Sequence, residues 1–309
     1  MGLALLFPGQ GSQFVGMGRE LAQAFPEART VFEQADEVLD FRLSRLMWEG
    51  PEAELTETRN AQPALMVHSM AVHRALGEAV TGARYAAGHS LGELSAHVAA
   101  GTMSLADGLR AVRRRGELMF EAGQARPGTM AAVLGLDDDA VEEVCAGVTQ
   151  GVCVPANFNA PGQVVLSGDA AGVEEGLVRA REAGAKRVLP LKVSGAFHSP
   201  LMEPAEDGFS AHLEAVRLHD PGLEVFANVT ARPVLTGELA RDLLVRQLTA
   251  PVRWSASVAA MVADGADRFL ELGPGSVLSN LNKRNAKGLP CASVGTPEEV
   301  EAVMEGMNV

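Results

Sequence analysis

The sequence predicts an α/β protein whose large lobe is interrupted by a small ferredoxin-like α+β lobe, and three observations carry that prediction. Short apolar runs at residues 3–7 and 85–87 each close on glycine and lead into helical periodicity, the strand–turn–helix order of a parallel sheet. Between residues 126 and 194 the rhythm changes to βαββαβ, the split pattern of ferredoxin-like domains. After residue 194 the first rhythm returns, so residues 126–194 read as an insertion. The large domain, residues 1–125 and 195–309, is then discontinuous.

In order along the chain, residues 3–7 form a strand closed by Pro8-Gly9-Gln10-Gly11-Ser12, and helical periodicity follows at 18–25 and 28–39. A helix is expected over 63–79. The run 85–87 enters Gly88, and residues 91–100 are helical with Gly101 just past the end. An apolar stripe of Leu105, Leu109, Val112, Gly116 and Met119 marks another helix. The inserted lobe reads as strand 129–134, helix 137–146, strands 152–158 and 164–167, helix 169–183 and strand 187–193. Strands at 223–227 and 269–272 and helices at 239–247 and 255–263 complete the large lobe.

Composition narrows the function. With 309 residues, 47% of them apolar and 21% charged, the chain can bury a large core, which excludes intrinsic disorder. Twenty-six Lys and Arg against 39 Asp and Glu give a net charge of −13, which argues against binding nucleic acid or an anionic membrane. Cys145, Cys153 and Cys291 lack metal-ligand spacing and are odd in number, so neither a zinc site nor a disulfide framework is expected. The apolar start lacks a basic segment before it, and no run reaches the roughly 18 apolar residues of a membrane span. A cytoplasmic protein is expected.

Gly88-His89-Ser90-Leu91-Gly92 matches G-x-S-x-G, in which a strained strand-to-helix turn presents a serine hydroxyl at a helix N-terminus. The bland alternative is a glycine-rich turn with a capping serine. A serine nucleophile needs a base, and seven histidines are available. His89 adjoins Ser90 and points elsewhere, and His97 lies seven residues on, about 10.5 Å along a helix. His68 and His73 sit in an apolar helix, while His212 and His219 stand among charged residues. His198 lies in the loop directly after the inserted lobe, where interdomain clefts form. Position makes it a candidate without deciding between a base and a structural loop histidine.

The loop from Phe7 to Gln13 could offer backbone N–H donors for an oxyanion, or it could be an ordinary Pro-Gly turn; it lacks the signature of a phosphate loop. Beside the apolar stripe stand Arg113, Arg114 and Arg115. Periodicity turns Arg114 away from the core and leaves Arg113 and Arg115 flanking it, so either could hold a substrate carboxylate.

Taken together these segments resemble the malonyl-CoA:acyl carrier protein transacylases of fatty acid synthesis and the related acyltransferase domains of polyketide synthases. The resemblance runs along nearly the whole chain: Phe7–Gln13, Gln62-Pro63-Ala64-Leu65, Gly88–Glu93 and Arg115-Gly116 come first. Asn157–Gln163, Gly195-Ala196-Phe197-His198-Ser199, Pro251-Val252-Arg253-Trp254 and Glu271–Gly275 follow. It implies a large α/β hydrolase-like lobe carrying the ferredoxin-like lobe, and a ping-pong transfer. Ser90, deprotonated by His198, takes malonyl from malonyl-CoA and passes it to the phosphopantetheine thiol of acyl carrier protein. The resemblance assigns the oxyanion hole to the Gln10 and Leu91 amides and the malonyl carboxylate to Arg115, supported by Gln62. It places Phe197 against the acyl group, Asn157 and Asn159 on the small-lobe side of the cleft, and the carbonyl of Gln247 behind His198. No metal and no resident cofactor are implied.

A backbone carbonyl in place of a triad aspartate keeps one negative charge away from an anionic substrate, where a unit charge at close range is worth about 1–4 kcal/mol. An acidic carrier protein would also need a local cationic rim. Arg113, Arg114, Lys186, Arg187, Arg246, Lys283, Arg284 and Lys287 are its candidates. A serine hydrolase and a non-catalytic carrier-protein binder are the competing readings; Arg115 and the joint presence of Ser90 and His198 disfavour them.

Overall fold

A computed structural model of the protein describes residues 2–306. Its strands are β1 (Gly2–Phe7), β2 (Ala83–Gly88), β3 (Thr129–Leu134), β4 (Cys153–Ala160), β5 (Gln163–Gly168), β6 (Arg187–Pro190), β7 (Glu224–Phe226), β8 (Pro233–Val234), β9 (Ala266–Leu272) and β10 (Cys291–Val294). They make a six-stranded sheet in the order β10-β9-β1-β2-β7-β8 and a four-stranded sheet in the order β4-β5-β3-β6. All pairings of the first are parallel except β7 with β8, and all of the second are antiparallel. The result is a mixed α/β fold with a large parallel-sheet lobe and a small antiparallel one.

β1 is buried at all six residues, because it lies between β2 and β9 with helices over both faces. Such a strand reads as a continuous apolar run instead of an alternating one. In the small sheet the helices Asp138–Ala146 and Ala170–Glu182 are each started by an aspartate: Asp137 accepts from the Ala140 amide at 2.9 Å and Asp169 from Gly172 at 2.8 Å. The lobes meet along β4, where Phe158 N–H donates to Val252 O at 2.9 Å and Val252 N–H to Ala156 O at 2.8 Å.

Several elements depart from expectation. The helix expected over 63–79 runs Thr58–Leu76, with Pro63 in its interior. Pro63 has no N–H for the carbonyl one turn back, and Arg113 Nη1 donates to that carbonyl, Arg59 O, at 2.9 Å. A side chain from the neighbouring helix Leu105–Ala125 thus repairs the gap that makes proline read as a helix start. β6 ends at Pro190, three residues short of the reading, where the chain leaves the sheet edge for the cleft. The helices Leu43–Glu49, Glu206–Glu214, Val277–Asn285 and Pro297–Met304, with strands β8 and β10, were not expected. Each is short: Leu43–Glu49 and Glu206–Glu214 pack on neighbouring helices, Val277–Asn285 packs beside β9 and β10 and Pro297–Met304 beside β10, so tertiary contacts more than local periodicity define them.

Candidate active site

β1 and β2 pair with Phe7 opposite Gly88, so the loops after them emerge side by side at the C-terminal edge of the sheet. A β-carbon on Gly88 would lie 1.9 Å from the Gly92 carbonyl, and one on Gly92 would lie 2.2 Å from Phe7 O. Only glycine at both positions lets the turn close onto β1. Between them Ser90 has φ 53°, a left-handed conformation that L residues adopt at a cost. Asn228 holds it: its side chain accepts from the Ser90 amide at 2.8 Å and donates to Gly88 O at 2.7 Å.

His198 also has positive φ, 58°, and is buried. Its Nε2 lies 2.8 Å from Ser90 Oγ and its Nδ1 2.9 Å from the carbonyl of Gln247, the residue closing the helix Gly237–Arg246. A carbonyl can only accept, so Nδ1 carries the proton and Nε2 is free to accept from the serine hydroxyl. Burial, reinforced by the nearby Arg115 charge, pushes the imidazole down to about 3, so it is neutral at physiological pH.

Arg115 is 1% exposed. Nη1 donates to Gln62 Oε1 at 2.8 Å, and Nη2 reaches Gln247 Oε1 at 2.8 Å and Ser90 Oγ at 3.2 Å. Its Nε is buried with no partner among the described residues. Burial lowers the guanidinium to about 10, partly offset by Glu93, so it stays charged at neutral pH. Arg113, equally eligible by periodicity, is committed to Arg59 O, Asn60 Oδ1 and Glu117.

A cleft of about 200 Å³ opens over these groups. It is lined by Gln10, Gln62, Ser90, Leu91, Arg115, Asn157, Phe197 and His198, with Met119, Met130, Lys192 and Val193 also facing it. Among the described residues the backbone amides of Gln10 and Leu91 donate to no protein acceptor. Asn159, expected to line the cleft, instead places Oδ1 2.8 Å from His89 Nε2 behind the wall. His97 bonds Thr102 and His68 bonds Gly295 O, both buried away from Ser90. Among the described residues no three His, Cys, Asp or Glu side chains group to hold a metal ion.

The acyl transferase domain family matches residues 4–305. The chain belongs to that acyltransferase family. It is 45% identical over 305 residues to the malonyl CoA-acyl carrier protein transacylase of Bacillus subtilis, spanning 98% of this chain and 96% of that protein. The solved acyl-carrier-protein-S-malonyltransferase of Bartonella henselae superposes with a TM-score of 0.95 at 44% identity, covering all of both chains. A type II PKS acyl-carrier protein in complex with its malonyl-transacylase gives a TM-score of 0.95 at 40% identity over 99% of this chain and all of that one.

Within this acyltransferase chain, sequence reading missed two residues of the site. Glu93 and Asn228 are fully buried and linked: Asn228 N–H donates to Glu93 Oε2 at 3.0 Å, and Gln247 Nε2 to the same oxygen at 2.6 Å. A carboxylate therefore does stand behind the site, one residue removed from His198. Its signal was its place in the first turn of the helix that follows Ser90. The expected cationic rim is thinner than the sequence suggests, since Arg113 and Arg114 face Glu117, and Arg246 pairs with Asp242. Among the described residues no helix is long and apolar enough to cross a membrane.

Proposed function

We propose that the protein is a malonyl-CoA:acyl carrier protein S-malonyltransferase working through a Ser90 acyl-enzyme. The observation that carries this reading is Arg115 Nη2 within 3.2 Å of the Ser90 hydroxyl that also meets His198. A hydrolase of neutral esters gains nothing from a buried guanidinium beside its nucleophile. An acyl group ending in a carboxylate does, because the charge is expensive to leave uncompensated in a buried site.

In the first half-reaction Ser90 Oγ attacks the thioester carbonyl of malonyl-CoA while its proton passes to His198 Nε2. The Gln10 and Leu91 amides receive the developing oxyanion. Collapse breaks the C–S bond, and the proton leaves with CoA as its thiol. The phosphopantetheine thiol of the carrier protein then gives its proton to His198 and attacks the Ser90 ester. Malonyl moves to sulfur and the proton returns to Ser90. No cofactor resident on the protein takes part. The Gln247 carbonyl keeps the imidazole tautomer that both halves need.

Arg115 links binding to chemistry. Burial and, after it, the Arg115 charge hold His198 weakly basic, and pairing with the malonyl carboxylate offsets the Arg115 share when the base is required. Gln62 orients the guanidinium. Phe197 limits the room beside the acyl α-carbon, Asn157 closes the small-lobe side, and Asn159 acts through His89. We assign residues 126–194 to the small lobe and 1–125 with 195–309 to the large one, the cleft lying between them.

The test is an intact mass after incubation with malonyl-CoA and no acceptor, beside a Ser90→Ala control. A malonyl adduct that is absent from the control and discharged by a phosphopantetheine thiol is the expected result. CoA release without any adduct at Ser90 overturns the acyl-enzyme reading.

A further inference from the structure

The catalytic scheme leaves one buried ionisable group unused. Glu93 is fully buried in the first turn of the helix Gly92–Ala99, and its Oε1 has no partner among the described residues. Its other oxygen accepts from Gln247 Nε2 and from the Asn228 amide. Resting on the acyl-transfer reading above, we propose that Glu93 is a positioning residue of the reaction. Its carboxylate fixes the Gln247 side chain, and through it the Arg115 guanidinium and the residue whose carbonyl holds His198.

Gln247 is the node. Its Oε1 accepts from Arg115 Nη2 at 2.8 Å, its Nε2 donates to Ser90 O at 3.0 Å as well as to Glu93, and its backbone oxygen accepts from His198 Nδ1 at 2.9 Å. A side-chain amide between a carboxylate and a guanidinium has one stable orientation. Turned over, its oxygen would face the carboxylate and its NH₂ the guanidinium, leaving both charges buried and unmet. Glu93 is also the one carboxylate, among the described residues, whose charge acts on Arg115. Withdrawing that charge loosens the amide and removes the counter-charge of Arg115 together.

The ionisable groups around Glu93 are few. Arg115 faces it from the helix Leu105–Ala125 and His198 stands behind Gln247 in the loop after β6, while His89 acts on His198 and bonds Asn159; Asn228 and Gln247 contribute neutral donors. Burial raises the Glu93 carboxyl to about 7, while His198 sits near 3. Between pH 6 and 8, therefore, Glu93 is the group at this site that changes charge.

The experiment compares wild type, Glu93→Gln and Glu93→Asp for malonyl transfer to a phosphopantetheine thiol across pH 5.5–8.5, with Tm recorded for each. Wild-type kcat/KM is expected to rise with pH through the neutral range. Glu93→Gln, isosteric and able to accept from Gln247, is expected to fold, to lose that rise, and to run about 10- to 100-fold below the wild-type plateau. Glu93→Asp is expected to keep a pH-dependent limb. Equal plateaus, or the wild-type limb persisting in Glu93→Gln, overturns the proposal. So does a lowered Tm with an unchanged pH profile in the protein that remains folded, which is the mark of a purely structural carboxylate. Failure of wild type itself to transfer malonyl counts against the acyl-transfer reading, a result distinct from any of these.

Discussion

The small antiparallel lobe and the C-terminal edge of the large sheet handle polar groups in opposite ways. In the small lobe Asp137, Asp169 and Glu175 stay near the surface and accept from backbone amides, leaving an apolar interior of residues such as Val133, Val141, Val164 and Leu166. Around Ser90 the interior itself is polar, with Arg115, Glu93, His198, Asn228 and Gln247 all buried and bonded mainly to one another. Contacts of the first kind are local and separable. A buried charged cluster stabilises only as a set, because removing one member leaves another unmet in a medium that cannot solvate it. The five residues whose loss should weaken the fold are also the ones that hold the Ser90 hydroxyl, the His198 imidazole and the Arg115 guanidinium in register.

Gly88→Ala presses this contrast hardest. The added carbon would sit 1.9 Å from the Gly92 backbone, so the elbow cannot close, and we expect more than about 4 kcal/mol of destabilisation or no folded protein. Gly184→Ala in the small lobe has no atom within 4 Å of the new carbon and meets only the positive φ of 95°, about 1 kcal/mol. Thermal melts of the two proteins decide it; a normal Tm for Gly88→Ala would break the contrast. The arginines two positions apart sharpen it further. Arg115→Ala should lower kcat/KM for malonyl-CoA by roughly 100- to 1,000-fold, since it strands a buried cluster. Arg113→Ala should leave the malonyl-CoA KM within about twofold and cost about 1–2 kcal/mol of stability through Arg59 O and Asn60. Steady-state kinetics with a Tm for each variant separates the two roles.

That pair also shows where sequence reading stops. Strand–turn–helix order, the G-x-S-x-G turn and the βαββαβ rhythm of the small lobe are local patterns, and they were legible because residues within a few positions of each other determine them. The choice between Arg113 and Arg115 was not local. Arg113 is taken up in part by Arg59 O, left without a helical donor by Pro63 some 50 residues away, and Arg115 meets Gln62 and Gln247 from two other helices, partners that the periodicity of one helix does not reveal. Glu93 stood in a recognised motif, yet its burial and its bond to Gln247 arise from helices far apart in the chain. Asn159 had a place in a motif but no physical argument, and its side chain turned out to serve His89.

Acid should affect the two regions unequally. Burial holds His68 and His97 near 4 and His198 near 3, so the folded protein keeps them neutral while the unfolded chain protonates below about 6.5. The unfolded state then binds more protons, and stability falls as pH drops from 6.5 toward 4. Glu93, raised to about 7, works in reverse, its share being greatest at low pH and lost above 7. These three histidines, with His73 also lowered to about 4 by burial, outweigh Glu93 and Glu271, whose carboxyls burial raises, so Tm at pH 4.5 should lie roughly 5–10 °C below its value at pH 7. A flat Tm over that range would mean these histidines are protonated in the fold.

The smallest expected effect comes from the small lobe. Asp137→Ala removes one cap bond, to Ala140 at 2.9 Å, at a position exposed to water that can hydrate the freed amide. It should cost about 1 kcal/mol, a Tm shift of roughly 2 °C, and leave kcat and KM for malonyl-CoA unchanged. Because this cap touches none of the buried cluster, its effect and that of Arg115→Ala on stability should add in the double variant. A departure from additivity would show that the small lobe and the Ser90 edge are coupled through β4, and the contrast between a separable and an interlocked region would have to be redrawn at that seam.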